Sequence, residues 1–573
     1  MTGSESQPAA AQLSNDDIDR AWWKEAIVYQ IYPRSFNDSD GDGVGDIQGI
    51  IDRVDYLDTL GVDVVWLCPV YASPNADNGY DISDYRSIQD EFGTMADWEE
   101  LLAVLHERDI RLIMDLVVNH TSDEHEWFQC SRRREDGYEK YYHWVEGSPD
   151  EPPNNWQSIF GGSAWAYDDE REAWYLHVFD EKQPDLNWAN PAVRAEVKEL
   201  MRWWLEKGID GFRMDAINHI VKTDGYPDGD PDAEPVGIDH FKHVPPIRDY
   251  FGELHDDVLS EYDVMIAGEM GGTSIADVAS YLERGDSPLD MAFQFTHLSI
   301  FEEPDEWGAD STASWDLVDL KEIVTRCQNE LTGEWWDAVF MGNHDVPRLV
   351  SRFGDDDAHR TKSATLIATF LLTLRGTPYI YQGEEIGMTN QTFDSLDEID
   401  DPQTLGHVEA LRDAGRIEST DAALNYANTT SRDHARTPMQ WTDEPNGGFT
   451  DGSPWLAVNE NTADINVEKA VAADDSVWNH YRQLIELRHE TDVLVYGDYD
   501  LLLPDDPQFY AYTRTLGDEA ILVVLNWSGE RATFDCPTVE TAGSTLIWRN
   551  YDDTPGDPNG ASFRPYEAAI YRV

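Results

Sequence analysis

The first candidates for chemistry in this chain are an arginine and an aspartate two residues apart. Residues 211–216 read Gly-Phe-Arg-Met-Asp-Ala, a pattern typical of the end of a buried strand. Side chains two positions apart on a strand point to the same face, and a buried charge is costly unless it is paired. The spacing therefore predicts a buried Arg213–Asp215 pair, which is either a structural ion pair or part of a functional site.

Three other strand-like runs also end in ionisable residues. His120 ends the run 111–120, Glu269 lies near the end of 263–270, and His344 and Asp345 end 338–345. In a barrel of parallel strands the carboxyl ends meet at one rim, so these side chains should converge with Asp215. Two carboxylates that flank a glycosidic bond are the minimum for sugar hydrolysis.

The surroundings of the two acids suggest different roles for them. We expect Arg213 to lower the pKa of Asp215, because a nearby positive charge favours the ionised carboxylate that a nucleophile needs. Glu269 lies among apolar residues, and desolvation should raise its pKa, which suits a general acid. Asp345 and His344 would then bind sugar hydroxyls and favour the positively charged transition state.

The elements that must position these residues alternate along the chain. Strand-like runs alternate with helical patterns such as 47–60, 98–108, 191–207 and 477–488. The eight predicted strands are 26–33, 62–71, 111–120, 211–215, 263–270, 291–295, 338–345 and 377–385. This alternation predicts an α/β fold, a closed (β/α)₈ TIM barrel.

Two segments interrupt or follow the barrel pattern. Residues 121–187 are aromatic, rich in glycine and proline, and too long for a simple connection, which predicts an inserted subdomain after strand 3. Residues 493–573 carry short strand patterns and predict a C-terminal all-β sandwich domain. The predicted division is a flexible tail at 1–20, the barrel at 21–120 and 188–492, the insert at 121–187, and the β domain at 493–573.

Acidic residues dominate the charge of this 573-residue chain. It has 113 acidic and 41 basic residues, a net charge of −72, yet 12% of its residues are aromatic, as in a folded protein. Such a surface repels itself unless salt shortens the Debye length to about 3 Å at 1 M. The composition therefore predicts a high-salt cytosol and argues against nucleic acid or an anionic membrane as a partner. No signal-peptide pattern and no apolar run of membrane-spanning length is present, so a cytoplasmic location is expected.

A short acidic loop follows the first predicted strand. Asp38, Asp40, Asp42 and Asp46 occupy positions 1, 3, 5 and 9, and Gly43 occupies position 6, as in a calcium-binding loop. Position 12 is a glycine rather than a glutamate, and an acidic turn without a metal is the alternative. We expect a structural Ca²⁺ ion here, or Mg²⁺ in its place, and no organic cofactor.

Several of these segments resemble motifs of the α-amylase superfamily of glycoside hydrolases, in its oligo-1,6-glucosidase and α-glucosidase branch. The similar segments are Asp-Leu-Val-Val-Asn-His at 115–120, Gln-Pro-Asp-Leu-Asn-Trp at 183–188, Gly-Phe-Arg-Met-Asp at 211–215, Glu269, Asn-His-Asp at 343–345, and residues 381–388 and 431–441. The resemblance covers residues 22–573. It implies an exo-acting, retaining α-glucosidase that releases the terminal non-reducing glucose of short oligosaccharides through a covalent glucosyl-enzyme intermediate.

The resemblance also implies roles for individual residues. Asp215 would be the nucleophile, Glu269 the acid/base and Asp345 the transition-state stabiliser. The pocket for one glucose would be formed by Asp77, Tyr80, His120, Phe160, Arg213, His344 and Arg432. Tyr80 would stack on the sugar, and Asp77 would pair with Arg432 to close the pocket. The family's metal loop maps onto Asp38, Asp40, Asp42, the Val44 carbonyl and Asp46.

The residue after the predicted nucleophile bears on linkage. In this branch a valine there accompanies α-1,6 preference and a smaller residue α-1,4 preference, and position 216 is alanine. A difference of one or two methyl groups can change discrimination by about 1–3 kcal/mol. We therefore expect α-1,4 substrates such as maltose, with sucrose as a further candidate.

Several alternatives remain open at this point. An oligo-1,6-glucosidase or a glucosyl-transferring relative would share the motifs, and a trehalose-6-phosphate hydrolase would need cations for its phosphate, which a chain with few lysines hardly offers. A non-catalytic, sugar-fold interaction protein is disfavoured because all three acids are present. The expected partner is a small oligosaccharide or disaccharide, and the expected state is a monomer or small homo-oligomer.

Overall fold

The computed structural model describes residues 18–282, 289–301, 303–304, 307–308, 311, 313–331 and 335–573. The predicted tail at 1–20 lies mostly outside these residues. The strands are β1 (Val28–Ile31), β2 (Val64–Leu67), β3 (Tyr71–Ala72), β4 (Asp84–Ile88), β5 (Arg111–Val117), β6 (Trp144–Glu146), β7 (Trp165–Asp168), β8 (Ala173–Leu176), β9 (Gly211–Asp215), β10 (Met265–Met270), β11 (Met291–Gln294), β12 (Ala338–Val339), β13 (Thr377–Tyr381), β14 (Asp498–Leu502), β15 (Phe509–Leu516), β16 (Glu519–Asn526), β17 (Ala532–Thr533), β18 (Thr545–Arg549), β19 (Ser562–Phe563) and β20 (Ala568–Arg572).

Helices fill the segments between the strands. They are α1 (Trp22–Glu25), α2 (Ile47–Ile51), α3 (Val54–Leu60), α4 (Met95–His106), α5 (Glu126–Arg132), α6 (Pro191–Lys207), α7 (Ile247–Asp257), α8 (Ile275–Tyr281), α9 (Leu317–Glu330), α10 (Leu349–Phe353), α11 (Arg360–Thr373), α12 (Pro402–Asp413), α13 (Thr420–Thr430), α14 (Asp433–Arg436), α15 (Val467–Ala472), α16 (Val477–His489) and α17 (Asp492–Tyr496). In the part of the chain that the structure describes, none of these helices has the length and apolar character needed to span a membrane.

Eight parallel strands form the centre of the molecule, in the order β11-β10-β9-β5-β2-β1-β13-β12. A parallel bridge between Ala292 and Asp337 brings the two outer strands together and closes the barrel. Strands such as β2 and β13 are buried along their whole length, as expected when helices cover one face of the sheet and side chains fill its interior. The predicted (β/α)₈ barrel is confirmed.

The seventh barrel strand differs from its prediction. The predicted run 338–345 pairs as a strand only at Ala338–Val339. The Asn343 side chain accepts a hydrogen bond from the Asp345 backbone N–H at 2.8 Å, a local turn that competes with strand pairing. His344 and Asp345 therefore lie in the loop after β12 and not at the end of the strand.

The remaining elements also refine the predicted boundaries. The predicted helix at 47–60 is two helices, α2 and α3. Between them Arg53 donates to Asn37 Oδ1 at 2.9 Å and its guanidinium packs over the Trp441 ring at 4.1 Å. The segment 121–187, which is mostly irregular by sequence, contains α5 and the antiparallel sheet β6-β8-β7.

A five-stranded antiparallel sheet, β14-β15-β16-β20-β18, and the pair β17-β19 form the C-terminal part of the chain. Both elements bury apolar side chains in a common cluster that includes Phe509, Phe534 and Phe563. The predicted C-terminal β domain is confirmed, although helix α17 extends to Tyr496, three residues past the predicted start of the helix-free region at 493.

Candidate active site

Arg213 on β9 binds three carboxylates from three neighbouring barrel strands. Its Nη1 lies 2.7 Å from Asp115 Oδ1 and 2.5 Å from Asp215 Oδ1, and its Nη2 lies 2.9 Å from Glu269 Oε2. Strand β9 pairs with β5 on one side and β10 on the other, which is why these carboxylates reach one guanidinium. The predicted Arg213–Asp215 pair is present, and Arg213 contacts Glu269 as well.

The pKa values of the two acids separate in the order that the predicted roles require. Burial raises the pKa of Glu269 to about 7, against the opposing charge of Arg213. Burial also raises the pKa of Asp215 to about 6, although Arg213 acts to lower it. The expectation that Arg213 would give Asp215 a lowered pKa is wrong, because one guanidinium is shared by three desolvated carboxylates.

Ala216 connects the two acids through its backbone. It adopts φ 42° and ψ 33°, the left-handed region, which is uncommon for residues other than glycine. This turn directs the Ala216 N–H toward the next strand, where it donates to Glu269 Oε2 at 2.9 Å. The side chain at position 216 therefore lies beside both acids.

A second arginine, Arg432, lies at what we call the closed end of the site, because its ion pairs would stop a sugar chain there. Arg432 lies 3.1 Å from Asp77 Oδ1, 3.3 Å from Asp345 Oδ1 and 2.6 Å from Asp401 Oδ1. Arg436 adds a further contact to Asp345 Oδ1 at 3.3 Å. The predicted Asp77–Arg432 pair is thus present as part of a larger network.

Two of the carboxylates at this end, Asp345 and Asp401, are held in the ionised form. Burial alone would raise the pKa of Asp345, but the neighbouring His344, Arg432 and Arg436 lower it to about 2. Burial acts to raise the pKa of Asp401 as well, but the same two arginines outweigh it and hold this pKa well below its usual range.

His344 and Tyr80 form one wall of the site. Their rings stack with centroids 5.2 Å apart and an interplanar angle of 10°. Burial lowers the pKa of His344 to about 3, so the ring is neutral near pH 7. Gln30 Nε2 lies 2.8 Å from His344 Nδ1 and His344 Nε2 lies 3.2 Å from Asp345 Oδ2, an arrangement in which Nε2 carries the proton and donates to Asp345.

Nearly all the predicted site residues line one cavity of about 430 Å³, a size typical of small-ligand pockets. These lining residues are Asp77, Tyr80, His120, Phe160, Asp215, Ala216, Glu269, His344, Asp345 and Arg432. Arg213 lies beneath the cavity, only 1% exposed. The Arg432 guanidinium lies over the Phe160 ring, 5.2 Å from the ring centroid.

Residues that were not predicted as site residues also belong to this site, and four of them contact the predicted ones directly: Asp115, Gln183, Asp401 and Arg436. Gln183 Nε2 lies 3.1 Å from both Asp77 Oδ2 and His120 Nε2. Asp115, Gln183 and Arg436 all occur in the motif segments that carry the family resemblance, which is the signal that could have identified them. Asp401 has no such signal, because it lies in a polar segment whose position relative to Arg432 depends on the fold.

The structure brings three of the predicted metal ligands together. Asp38, Asp40 and Asp42 each place a carboxylate oxygen within 4.8 Å of the others. Oxygen ligands lie about 2.3–2.6 Å from a Ca²⁺ ion, so oxygens this close together can bind the same ion. Asp46 is not part of this cluster. It is the N-cap of α2, and its carboxylate accepts hydrogen bonds from the Gly49 and Ser39 N–H groups.

Comparison with known families agrees with this geometry. The family model described as "Alpha amylase, catalytic domain" matches residues 30–497. The chain belongs to the α-amylase family. This match includes all eight barrel strands except the first two residues of β1.

Individual members of the family are similar over nearly the whole chain. The oligo-1,6-glucosidase of Parageobacillus thermoglucosidasius is 49% identical over 563 residues, which cover 97% of this chain and 100% of that protein. The oligo-1,6-glucosidase of Halalkalibacterium halodurans is 50% identical, covering 96% and 98% of the two chains. A solved structure of trehalose-6-phosphate hydrolase from Bacillus licheniformis superposes with a TM-score of 0.90 at 45% identity, covering 96% of this chain and 100% of that one.

These similarities confirm that the chain is a glycoside hydrolase of the α-amylase family and a member of its oligo-1,6-glucosidase and α-glucosidase branch. They also remove the non-catalytic alternative. Hydrolysis in this family proceeds with retention of configuration. Such a reaction needs a pair of carboxylates, and Asp215 and Glu269, which both contact Arg213, are the predicted pair.

Proposed function

We propose that this enzyme is an exo-acting α-glucosidase that removes the terminal non-reducing glucose from short α-1,4-linked oligosaccharides such as maltose, with sucrose as a further substrate. The observation that supports it most directly is the closed end of the cavity. Arg432 and its carboxylate partners would block one end of the cavity that Asp215 and Glu269 also line. A chain can then enter only with its end, which limits cleavage to one terminal sugar.

The proposed mechanism gives each acid one role in each step. Asp215, ionised, attacks the anomeric carbon while Glu269 donates its proton to the glycosidic oxygen, which leaves with the aglycone. Glu269, now ionised, then takes a proton from water as the water oxygen attacks the glucosyl ester of Asp215. Two displacements at one carbon give net retention. Asp345, held ionised by the adjacent arginines, favours the positively charged transition state.

The residue at position 216 supports the α-1,4 preference. The Ala216 methyl group lies beside Asp215 and Glu269 on the cavity wall, so its size affects how the departing sugar is oriented. The second candidate is oligo-1,6-glucosidase activity, which is favoured by the names of the two similar relatives at 49% and 50% identity. The two candidates differ in linkage and share the mechanism.

Initial rates on maltose, isomaltose, sucrose and trehalose in strong KCl separate these candidates. We expect the highest kcat/KM on maltose and release of the α-anomer of glucose, detected by NMR before mutarotation. A higher kcat/KM on isomaltose would replace the α-1,4 assignment with the oligo-1,6 one. If the enzyme hydrolysed none of the four substrates, the proposed function as a whole would be contradicted.

The variant Ala216→Val tests the structural reason for the linkage preference. It should shift the maltose-to-isomaltose ratio of kcat/KM toward isomaltose by about tenfold, within the 1–3 kcal/mol typical of such changes. Valine is also strained at φ 42°, so Ala216→Gly, which tolerates that backbone, is the matched control for effects of the backbone alone. An unchanged ratio in the valine variant would remove position 216 from linkage selection.

We also propose that the loop at 38–46 holds a structural Ca²⁺ ion, or Mg²⁺. Asp38, Asp40 and Asp42 would supply carboxylates and Val44 its carbonyl, and Asp46 would need to release its capping hydrogen bonds to join them. Chelation by EDTA should lower Tm, since a ligand at 100 times its Kd stabilises a fold by about 2.7 kcal/mol. Asp40→Asn/Asp42→Asn should abolish that dependence, and an unchanged Tm after chelation would contradict a bound ion.

The charge of −72 supports the further proposal that the enzyme works in a high-salt cytosol. Dilution from strong KCl to ~0.1 M should lower Tm, because screening over about 10 Å no longer offsets repulsion between surface carboxylates. Equal stability at both salt concentrations would contradict this proposal.

A further inference from the structure

Part of the cavity lining is not used by the proposed mechanism, and we call it the open side because the departing sugar must leave there. Glu269 marks it, because the acid that protonates the glycosidic oxygen must lie next to the departing sugar. Gly271 and Gly272, which follow Glu269 along the chain, line the cavity on this side. So do Glu234 and Lys242, which belong to the long segment between β9 and α7.

The Lys242 side chain is held by one hydrogen bond, and its other N–H donors remain available. Its Nζ donates to the Gly272 carbonyl oxygen at 2.7 Å, and an ammonium group has three N–H donors. The side chain is half-buried, and burial lowers its pKa. Among the residues that the structure describes, no carboxylate lies within ion-pair distance of Lys242, although the chain has 113 acidic residues and 41 basic ones.

The two positively charged side chains that line the cavity are therefore arranged very differently. Arg432 at the closed end contacts three carboxylates, which consume its donors. Lys242 on the open side contacts one backbone oxygen. A half-buried ammonium with free donors, facing a cavity, is suited to bind an acceptor on the ligand itself.

We propose that Lys242 is a specificity-determining residue that donates a hydrogen bond to a hydroxyl group of the departing sugar. This inference rests on the proposed α-glucosidase function. Lys242 also binds the backbone of Gly272, three residues after Glu269. A sugar bound to Lys242 is therefore held next to the acid that protonates it.

The expected leaving group is a neutral sugar and not a phosphorylated one. The Glu234 carboxylate lines the same side of the cavity and makes no ion pair within the described part of the chain. A phosphate dianion would meet this carboxylate and the field of a molecule with a net charge of −72. An ammonium group and a carboxylate that line the same cavity instead offer a donor and an acceptor, as hydroxyl groups require.

The variant Lys242→Met tests this role, because methionine keeps the length of the side chain and removes its donors. Kinetics are compared on maltose and on p-nitrophenyl α-glucoside, whose aromatic leaving group has no hydroxyls for Lys242 to bind. We expect the maltose-to-aryl ratio of kcat/KM to fall about tenfold or more, which is the effect of losing a hydrogen bond from a charged donor, with most of the change in KM for maltose. Lys242→Arg should restore part of the ratio.

Lys198→Met is the matched control, since Lys198 is an ion-paired lysine far from the cavity that binds Glu253 and Asp257. It should leave the ratio unchanged. An equal fall of kcat/KM on both substrates in Lys242→Met, with unchanged Tm, would show that Lys242 only supports Gly272 and would overturn the proposal.

Trehalose 6-phosphate is the probe for the phosphate alternative. Faster turnover of trehalose 6-phosphate than of maltose by the wild type, abolished in Lys242→Met, would overturn the neutral-sugar assignment. Failure of the wild type on maltose and on the aryl glucoside alike would instead contradict the proposed function, so the two failures are distinguishable.

Discussion

Two clusters in the same cavity are each centred on one arginine that contacts three carboxylates. The pKa values of the carboxylates rise in one cluster, whereas those of Asp345 and Asp401 fall in the other. The Arg213 cluster lies under the reacting centre and consists of Arg213, Asp115, Asp215 and Glu269. The Arg432 cluster forms the closed end and consists of Arg432, Arg436, Asp77, Asp345 and Asp401. Each has three carboxylates in contact with one central guanidinium.

The difference is the second positive charge. In the Arg213 cluster burial outweighs one guanidinium, and the pKa values of Asp115 and Asp215 rise to about 6 and that of Glu269 to about 7. In the Arg432 cluster burial acts in the same direction, but His344, Arg432 and Arg436 together outweigh it, and the pKa of Asp345 falls to about 2. Glu269 in the Arg213 cluster therefore retains a transferable proton near pH 7, whereas Asp345 and Asp401, which lie beside two arginines, remain ionised.

The largest expected effect distinguishes chemistry from binding. Asp215→Asn should lower kcat by about 10⁴-fold or more, because it removes the nucleophile. Asp77→Asn, in the other cluster, should act mainly by raising KM. Asp500→Asn on exposed β14 is the control for loss of one surface charge. Substantial residual kcat in Asp215→Asn would assign the nucleophile elsewhere.

Removing the second cation should turn the Arg432 cluster into one of the other type. Arg436→Leu leaves Asp345 and the buried Asp77 and Asp401 with one guanidinium, and breaking a buried charge network costs about 3–5 kcal/mol of unfolding free energy. The loss should be smaller at low pH, where the carboxylates can protonate. Arg482→Leu, which breaks an exposed pair with Glu486 at 3.9 Å, should change stability by less than about 1 kcal/mol. Equal stability of Arg436→Leu and the wild type would contradict the role of the second charge.

The shared proton of the Arg213 cluster should appear in the pH profile of kcat/KM. Activity requires Asp215 ionised and Glu269 protonated, so it should fall below about pH 6 and above about pH 7, by tenfold per pH unit on each side. Because the two groups interact, both limbs belong to the pair.

Glu269→Gln provides the control for the alkaline limb. With a substrate whose leaving group needs no proton, this variant should keep the acid limb and lose the alkaline one. An alkaline limb that persists in Glu269→Gln would show that another group supplies the proton.

A third carboxyl group extends the comparison to a site with no cation in contact. Glu384 is 3% exposed, and neither of its carboxylate oxygens has a hydrogen-bond partner among the described residues. Burial raises its pKa well above the usual value. A raised folded-state pKa contributes stability below the unfolded pKa of about 4.3, and this stability is lost as pH rises through the folded value.

Glu384→Gln should therefore stabilise the protein at pH 8 by roughly 1–3 kcal/mol and have little effect near pH 4. Urea unfolding at both pH values, at constant KCl, measures the difference. Glu530→Gln, an exposed substitution, should show no such pH dependence. A uniform effect of Glu384→Gln at both pH values would mean that the pKa of Glu384 is not raised in the folded state.

Elements with strong local signals were predicted with accurate boundaries. The predicted helix at 191–207 agrees with α6, Pro191–Lys207, because Asn190 caps its first turn, Pro191 starts it and Gly208 ends it in the left-handed conformation. The strand at 211–215 also agrees with β9. By contrast β12 is six residues shorter than predicted, because the Asn343 side chain accepts a hydrogen bond from the Asp345 N–H in a local turn that competes with strand pairing.

Local patterns in the sequence were enough to predict the barrel, the C-terminal β domain and the candidate acids, because hydrophobic periodicity and motif residues are local properties of the chain. The pKa of Asp215, the contact of Asp401 with Arg432 and the free donors of Lys242 follow instead from the folded structure. These depend on how many charges meet in one desolvated volume, and residues as far apart as Asp77 and Arg432 meet there only when the chain has folded.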